Sequence, residues 1–242
     1  MSENQETFIS HLIELRTRLI HSGLALLVVF LCLMPWAAEI YDLLARPMMA
    51  ALPQGTRMIA TGVVTPFLVP LKVTLWVALV FSLPYLLYQA WAFVAPGLYA
   101  HEKRFALPLI VASTLLFLLG MAFCYFFVFG AAFRFIAKFA PHSITPAPDI
   151  EQYLSFVMTM FIAFGVTFEV PVVVVLLVKV GIVTVAQLRQ VRRYVIVGAF
   201  VVAAVVTPPD VVSQIMLAVP MCLLYEAGVL IASFMERKSA AI

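Results

Sequence analysis

The chain has 242 residues, of which 64% are hydrophobic and 11% are charged, and its formal net charge is +3. A soluble globular domain is about 45–50% apolar and about 25% charged, so the composition excludes an ordinary soluble fold and predicts one polytopic membrane domain over residues 1–242. The small net charge excludes the broad basic field of a nucleic-acid-binding protein. Three cysteines lie in apolar segments without metal-ligand spacing, and we interpret them as small core residues: Cys32, Cys124 and Cys222.

The chain begins with an amphipathic lead, residues 3–18. Apolar side chains recur there every three to four residues, as on one face of a helix: Phe8, Leu12, Leu15 and Leu19. We expect this helix to lie along the inner interface and then to turn into the first span. The lead carries mixed charges and the apolar run after it is about 20 residues long, which indicates a retained span rather than a cleaved signal peptide.

Six apolar segments are candidates for membrane spans, since about 20 apolar residues are needed to cross the hydrocarbon layer. They cover residues 19–38, 69–94, 105–130, 153–178, 194–206 and 211–234. The fifth has only 13 residues, and Gln214 and Glu226 interrupt the sixth. We therefore predict an all-α polytopic membrane protein whose last two helices are short, so that the bilayer thins around them or a partner covers them.

Lysine and arginine are distributed unevenly between the two sides of these spans. Ten of the fifteen fall on the side of the N-terminus, and cytoplasmic loops carry the excess, so we expect both termini in the cytoplasm. The other five lie in outer segments: Arg46, Arg57, Lys72, Arg134 and Lys138. The outer loops, roughly residues 39–68 and 131–152, are rich in proline and are expected to form a structured cap.

One acid, Glu169, lies near the middle of the fourth predicted span. A charge at that depth costs roughly 2.5–3.5 kcal/mol on insertion scales. The side chain is either a neutral acid hydrogen-bonded within the bundle or a polar spot used in transport. Together with Glu226 and prolines inside the spans, it makes a proton-coupled secondary transporter the alternative function.

The sequence offers little for catalysis. It has no HExxH, GxSxG or Gly-rich phosphate loop, and its four histidines lie at or beyond the span ends, so we expect neither an enzyme nor a cofactor, and no metal site. Two acids, Glu14 and Glu102, stand among basic residues on the inner side. Either can accept an arginine through bidentate, charge-assisted hydrogen bonds. The plainer interpretations are a Glu14–Arg18 pair one turn apart and a helix-starting role for Glu102.

Several stretches, in this order, carry a resemblance to a known family: "HLIELRTRLI", "YQAWAFVAPGLYAHEKR", "GVTFEVPVVVVLL" with "KVGIVTVAQLRQVRRY", and "VVAAVVTPPDVVSQIMLAVPMCLLYE". Their spacing and six-span frame resemble the TatC family, the large subunit of the twin-arginine protein translocase. The resemblance implies a concave, glove-like bundle in the bacterial cytoplasmic (inner) membrane. It also implies a receptor that binds twin-arginine signal peptides and exports folded precursor proteins using the proton-motive force. The implied partners are the single-span subunits TatA and TatB, further copies of the chain, and membrane lipid.

The resemblance also assigns roles to individual residues. It implies that the paired arginines meet a recognition surface of four side chains: Glu14, Arg16, Phe93 and Glu102. It places Pro47 and Asp210 at positions linked to assembly and translocation, and Thr207 and Gln214 at a polar contact with the partner helices. We assign Glu169 to the transport step. A scaffold without a recognition role is a third possibility, in which Glu14 and Glu102 matter only for stability.

Overall fold

The structure is a computed structural model that describes residues 3–52, 57–98, 106–139, 147–207 and 210–239. Regular structure in these ranges is helical, apart from an isolated β-bridge between Ile59 and Asp149. The predicted all-α class is confirmed.

The helices follow one another along the chain, and two pairs of them are nearly continuous. A 3₁₀ turn, Met34–Trp36, joins the first two α-helices, and a π-helical turn, Cys124–Val128, joins the fourth to the fifth. The α-helices of the described ranges are α1 (Glu3–Leu33), α2 (Ala37–Ala51), α3 (Thr65–Leu98), α4 (Ala106–Phe123), α5 (Phe129–Phe139), α6 (Ile150–Lys179), α7 (Val185–Val206) and α8 (Val211–Ser239).

Helix α1 shows why the amphipathic lead does not turn away from the first span. It runs unbroken from Glu3 to Leu33, so the expected turn between the lead and the span is wrong. Residues 3–22 contain neither proline nor glycine, and nothing in that stretch interrupts the helical hydrogen bonds. The helix ends where Pro35 stands in the 3₁₀ turn.

Among the described residues, five helical stretches are long and apolar enough to cross a membrane: Leu12–Ala51, Thr65–Ala90, Leu107–Ile136, Ile150–Lys179 and Val211–Glu236. A sixth helix, α7, has 22 residues but carries three arginines in its first half. The predicted shortness therefore applies to the apolar segment of α7 after Arg193, whereas the helix itself begins at Val185. Helix α8 has 29 residues and is not short.

Local capping explains where the helices of the second half begin. Asp149 is the N-cap of α6, and its Oδ1 accepts from the backbone N–H groups of Glu151 (2.9 Å) and Gln152 (3.1 Å). Thr184 and Gln187 form a reciprocal capping box at the start of α7. Such caps satisfy backbone donors that the first turn of a helix leaves without partners.

The chain divides into two compact units. One comprises residues 1–41 and 70–114, and the other comprises residues 42–69 and 115–242. In the second unit α8 packs against both α6 and α7. Its largest core cluster combines buried residues of the π-helical turn, α5, α6 and α8, and Phe129, Met160, Phe164 and Leu217 are fully buried in it.

Two glycines of this unit allow the backbones of neighbouring helices to approach closely. A Cβ on Gly120 of α4 would lie 2.5 Å from the Phe164 carbonyl oxygen of α6. A Cβ on Gly228 of α8 would lie 2.9 Å from the Cα of Pro171. Helix α6 thus approaches α4 and α8 at positions where only glycine leaves room.

The segment before α3 is tied to the start of α6. The Ile59 N–H donates to the Pro148 carbonyl (3.0 Å), and the Ile150 N–H donates to the Ile59 carbonyl (2.9 Å). Both the backbone N–H and the hydroxyl of Thr61 donate to Asp149 Oδ2 (3.1 and 2.8 Å). In this part of the two proline-rich segments the expected ordered structure is observed, and their position on the outer side stays a prediction.

Candidate functional site

The predicted recognition surface centres on a polar chain that joins α1 to α3 within the first unit. The Glu14 carboxylate oxygen Oε1 accepts from Nε (3.0 Å) and from Nη2 of Arg18, one turn further along α1. Arg18 Nη1 also donates to Gln89 Oε1 on α3 (3.2 Å), and the Gln89 amide donates to the Tyr85 hydroxyl (2.7 Å). The Glu14–Arg18 pair anticipated from the sequence is confirmed, and it is anchored to a second helix.

The other members of the recognition surface are described unequally. Arg16 is exposed on α1, and Phe93 is half-buried on α3, one helical turn beyond Gln89. Residues i and i+4 lie on the same face of a helix, so Phe93 extends the face that holds Gln89. Glu102 lies outside the described residues.

Sequence reasoning assigned no role to Gln89 or Tyr85, although Gln89 lies within the quoted "YQAWAFVAPGLYAHEKR" stretch and Tyr85 lies three residues before it. A glutamine in an apolar helix was the available signal, because a buried amide needs hydrogen-bond partners. Gln89 is 8% exposed. Only the structure shows that Gln89 accepts a hydrogen bond from Arg18, because 71 residues separate the two positions in the sequence.

Glu169 lies on α6 and is half-buried. Pro171, two residues on, is the point at which Gly228 brings α8 against α6. Proline lacks the N–H that would otherwise bond the carbonyl four residues earlier, that of Thr167. Glu169 therefore stands beside an interrupted helical turn at a close helix contact.

The junction of α7 and α8 holds three of the predicted site residues. The Thr207 hydroxyl is buried and donates to the Ala203 carbonyl (2.7 Å) within α7. The Gln214 amide donates to the Phe200 carbonyl (3.3 Å), from α8 to α7. Asp210 is the N-cap of α8, where its Oδ1 accepts from the Ser213 N–H (2.7 Å). All three side chains have structural roles within the chain at this junction.

Two further contacts hold α7 to α8 nearer the start of α7. The Tyr225 hydroxyl donates to the Leu188 carbonyl (2.8 Å). Arg192 forms an ion pair with Glu226, in which Nη2 lies 2.7 Å from Oε2. Glu226, which the transporter alternative used as an intramembrane acid, is thus paired with an arginine of the neighbouring helix.

Pro47 lies inside α2 and lines a cavity of about 370 Å³. Because proline has no N–H, the Leu43 carbonyl four residues earlier receives no helical hydrogen bond. The Tyr125 hydroxyl of the π-helical turn donates to that carbonyl instead (2.9 Å). Pro47 therefore marks the place where α2 attaches to the π-helical turn.

The cysteine interpretation is confirmed for one residue and wrong for another. Cys124 is fully buried in the core of the second unit, whereas Cys32 is exposed on α1. The surface of an α-helix that faces lipid is as apolar as a protein core, so composition does not separate the two environments.

Comparisons with known proteins give a consistent result. Residues 10–220 match the family model described as TatC: Sec-independent protein translocase protein. The chain is 53% identical over 232 residues to the Sec-independent protein translocase protein TatC of Escherichia coli (strain K12), covering 96% of this chain and 90% of that protein. It is 38% identical over 234 residues to the TatC of Aquifex aeolicus (strain VF5), covering 96% of this chain and 97% of that protein.

A solved structure extends the similarity to the fold. The crystal structure titled "Twin Arginine Translocase Receptor- TatC" aligns with a TM-score of 0.79 at 38% identity, over 93% of this chain and 98% of that chain. The long apolar helices and the order of the quoted motifs agree with this match. The chain belongs to the TatC family of Sec-independent protein translocase proteins.

Proposed function

We propose that this member of the translocase family is the signal-peptide receptor and core subunit of a twin-arginine translocase. In this role it accepts the paired arginines of a signal peptide on folded cargo at its cytoplasmic side. The observation that carries the proposal is the arrangement of Glu14, a carboxylate that already holds a guanidinium and is still accessible.

Glu14 has capacity for a second arginine. Both hydrogen bonds from Arg18 end on the same oxygen, Oε1, and Oε2 accepts none from the described part of the chain. An ionised carboxylate offers about four acceptor positions, and the Glu14 side chain is 35% exposed. Arg18 is itself held by Gln89, so the carboxylate is presented in a fixed orientation.

The second carboxylate of the proposal is Glu102, which we expect in the first inner loop. Glu14 and Glu102 each accept one arginine of the pair, with Arg16 and Phe93 completing the surface. Arginine suits such sites because its planar guanidinium binds carboxylates through two parallel hydrogen bonds, which lysine does not reproduce.

Later steps use the second unit. We propose that single-span TatA and TatB helices meet the junction of α7 and α8. There Gln214 is half-buried, whereas the Thr207 hydroxyl is already satisfied within α7. Transport then draws on the proton-motive force, within an assembly of several copies in the bacterial inner membrane. Pro47 and Asp210 act in assembly by holding α2 and the start of α8 in place.

A binding titration tests the receptor role. Purified protein in nanodiscs is titrated with a labelled twin-arginine peptide and with the same peptide carrying two lysines. Glu14→Gln with Glu102→Gln is expected to weaken twin-arginine binding by more than tenfold, since a hydrogen bond to a charged group contributes about 1.5–3 kcal/mol. Glu39→Gln, at an exposed acid in the first turn of α2, is the matched control.

Two outcomes would contradict the proposal. Unchanged affinity in the double variant, or equal affinity for the lysine peptide, removes the arginine-pairing mechanism. A separate assay assigns Glu169: Glu169→Ala is expected to bind the peptide normally and to export less cargo. Solute uptake driven by a proton gradient through this protein alone in liposomes would instead support the secondary-transporter alternative.

A further inference from the structure

The cavity beside Pro47 is the strongest unassigned site in the second unit. It lies between α2 and the helix that runs through the π-helical turn into α5. Residues of both elements line it: Pro47, Ala50, Ala51, Tyr125, Phe126, Gly130 and Arg134. Its volume of about 370 Å³ falls within the roughly 300–1,000 Å³ typical of small-ligand pockets.

The cavity spans two depths of the membrane. Residues 107–133 contain no charged side chain, and Arg134 is the first charge after them, so Arg134 marks the interface between hydrocarbon and water. Tyr125 precedes Arg134 by nine residues, which corresponds to about 13 Å along the helix. The cavity thus begins at headgroup level and reaches into the hydrocarbon layer.

The headgroup end is cationic. Arg134 lines it and is exposed, with Nε donating to the Gly130 carbonyl (2.6 Å). Arg46, one residue before the lining residue Pro47, is also exposed. Neither arginine forms an ion pair with a carboxylate of the described ranges. Asp42 stands one turn before Arg46 on α2 without pairing with it.

The deeper end is apolar and open to the side. Phe126 lines the cavity and is 72% exposed, and the neighbouring Phe127 is 63% exposed. At hydrocarbon depth these rings face acyl chains. An occupant that satisfies both ends carries a negative charge at the interface and a hydrocarbon chain below it.

We propose that this cavity is a binding site for an anionic phospholipid, whose phosphate lies between Arg46 and Arg134 and whose acyl chain packs along Phe126. Under the proposed topology, the lipid belongs to the outer leaflet. It fills the gap between α2 and the π-helical turn and supports the attachment that Tyr125 makes to α2. The inference does not depend on signal-peptide recognition.

Lipid binding to the full-length protein tests the site. Binding of phosphatidylglycerol is measured by native mass spectrometry, and thermal unfolding is compared in nanodiscs of phosphatidylcholine with and without phosphatidylglycerol. Arg46→Gln with Arg134→Gln is expected to lower phosphatidylglycerol affinity at least tenfold and to abolish the thermal stabilisation. Arg57→Gln with Lys138→Gln is the matched control, because it removes the same charge on the same side of the membrane but outside the cavity. It is expected to keep both the phosphatidylglycerol affinity and the thermal stabilisation.

A cavity-filling variant and a soluble phosphate compound complete the test. Ala50→Trp fills the cavity but leaves both arginines, and it is expected to lose the bound lipid while unfolding normally in phosphatidylcholine. Equal losses in the two double variants, or no loss in the cavity variant, would overturn the proposal. Soluble glycerol phosphate at millimolar concentration is expected to have no effect. If glycerol phosphate stabilised the protein as much as phosphatidylglycerol does, the cavity would be a site for free phosphate and the lipid proposal would be overturned.

Discussion

The hydrogen bond from Tyr125 to the Leu43 carbonyl gives a quantitative test of how α2 is held. Pro47 leaves that carbonyl without a helical donor, and Tyr125 supplies the substitute. We expect Tyr125→Phe to lower the free energy of unfolding by about 1 kcal/mol, the lower end of the roughly 1–3 kcal/mol for an unsatisfied polar group.

The same substitution should cost almost nothing in a Pro47→Ala background. An alanine at that position carries an N–H that can bond the Leu43 carbonyl within α2, so the tyrosine becomes dispensable. A double-mutant cycle therefore predicts a coupling of about 1 kcal/mol between Tyr125 and Pro47. The free energy of unfolding is measured in mixed micelles for the wild-type chain, both single variants and the double variant.

Tyr153→Phe is the matched control for this cycle. Tyr153 also donates to a carbonyl of α2, that of Leu44 (2.7 Å), but residue 48 is a methionine whose N–H remains available to Leu44. Its loss should therefore not couple to Pro47. An equal cost for Tyr125→Phe in the proline and alanine backgrounds would refute the reasoning.

Two further predictions concern helix packing and acid stability. Gly120→Ala introduces a Cβ 2.5 Å from the Phe164 carbonyl oxygen, whereas Gly198→Ala meets nothing within 4 Å. Both gain the same helix propensity, so thermal unfolding should show Gly120→Ala about 1–3 kcal/mol less stable than Gly198→Ala; equal stabilities would contradict the close contact. The Thr61 hydroxyl and then the backbone N–H of Gln152 hold the pKa of Asp149 below its usual range. Its stabilising effect is thus present above the unfolded-state pKa of about 4 and is lost as the pH falls through the lower folded-state value. Asp149→Asn should remove that acid-dependent loss in a pH series of melting temperatures, and an unchanged pH profile would count against it.

The helices were largely predictable because apolar runs of about 20 residues have few alternatives to crossing a membrane. The helix bounds were less so. The fifth span was predicted to begin at residue 194, yet the Thr184 capping box starts α7 at Val185. Charged residues can continue a helix beyond the hydrocarbon layer, and hydropathy does not detect that continuation.

The candidate site was predictable in its local parts. Spacing along α1 predicted the Glu14–Arg18 pair, because residues four apart share a helix face. Contacts between distant segments carried no comparable signal. The Arg18–Gln89 bond and the Tyr125–Leu43 bond depend on how helices pack, and 82 residues separate the latter pair.

The π-helical turn, Cys124–Val128, sets the helical register of everything after it. A π-turn holds one residue more than an α-turn, and each residue of an α-helix advances the direction of the side chain by about 100°. Deleting one residue within the turn would remove that extra residue, let the turn close as ordinary α-helix and leave α5 facing as it does now. The same deletion within α4, with the π-helical turn kept, would instead rotate α5 by about 100° and carry Arg134 out of the cavity beside Pro47. Hydropathy does not distinguish the two deletions, yet only the second would change which side chains this end of the molecule presents.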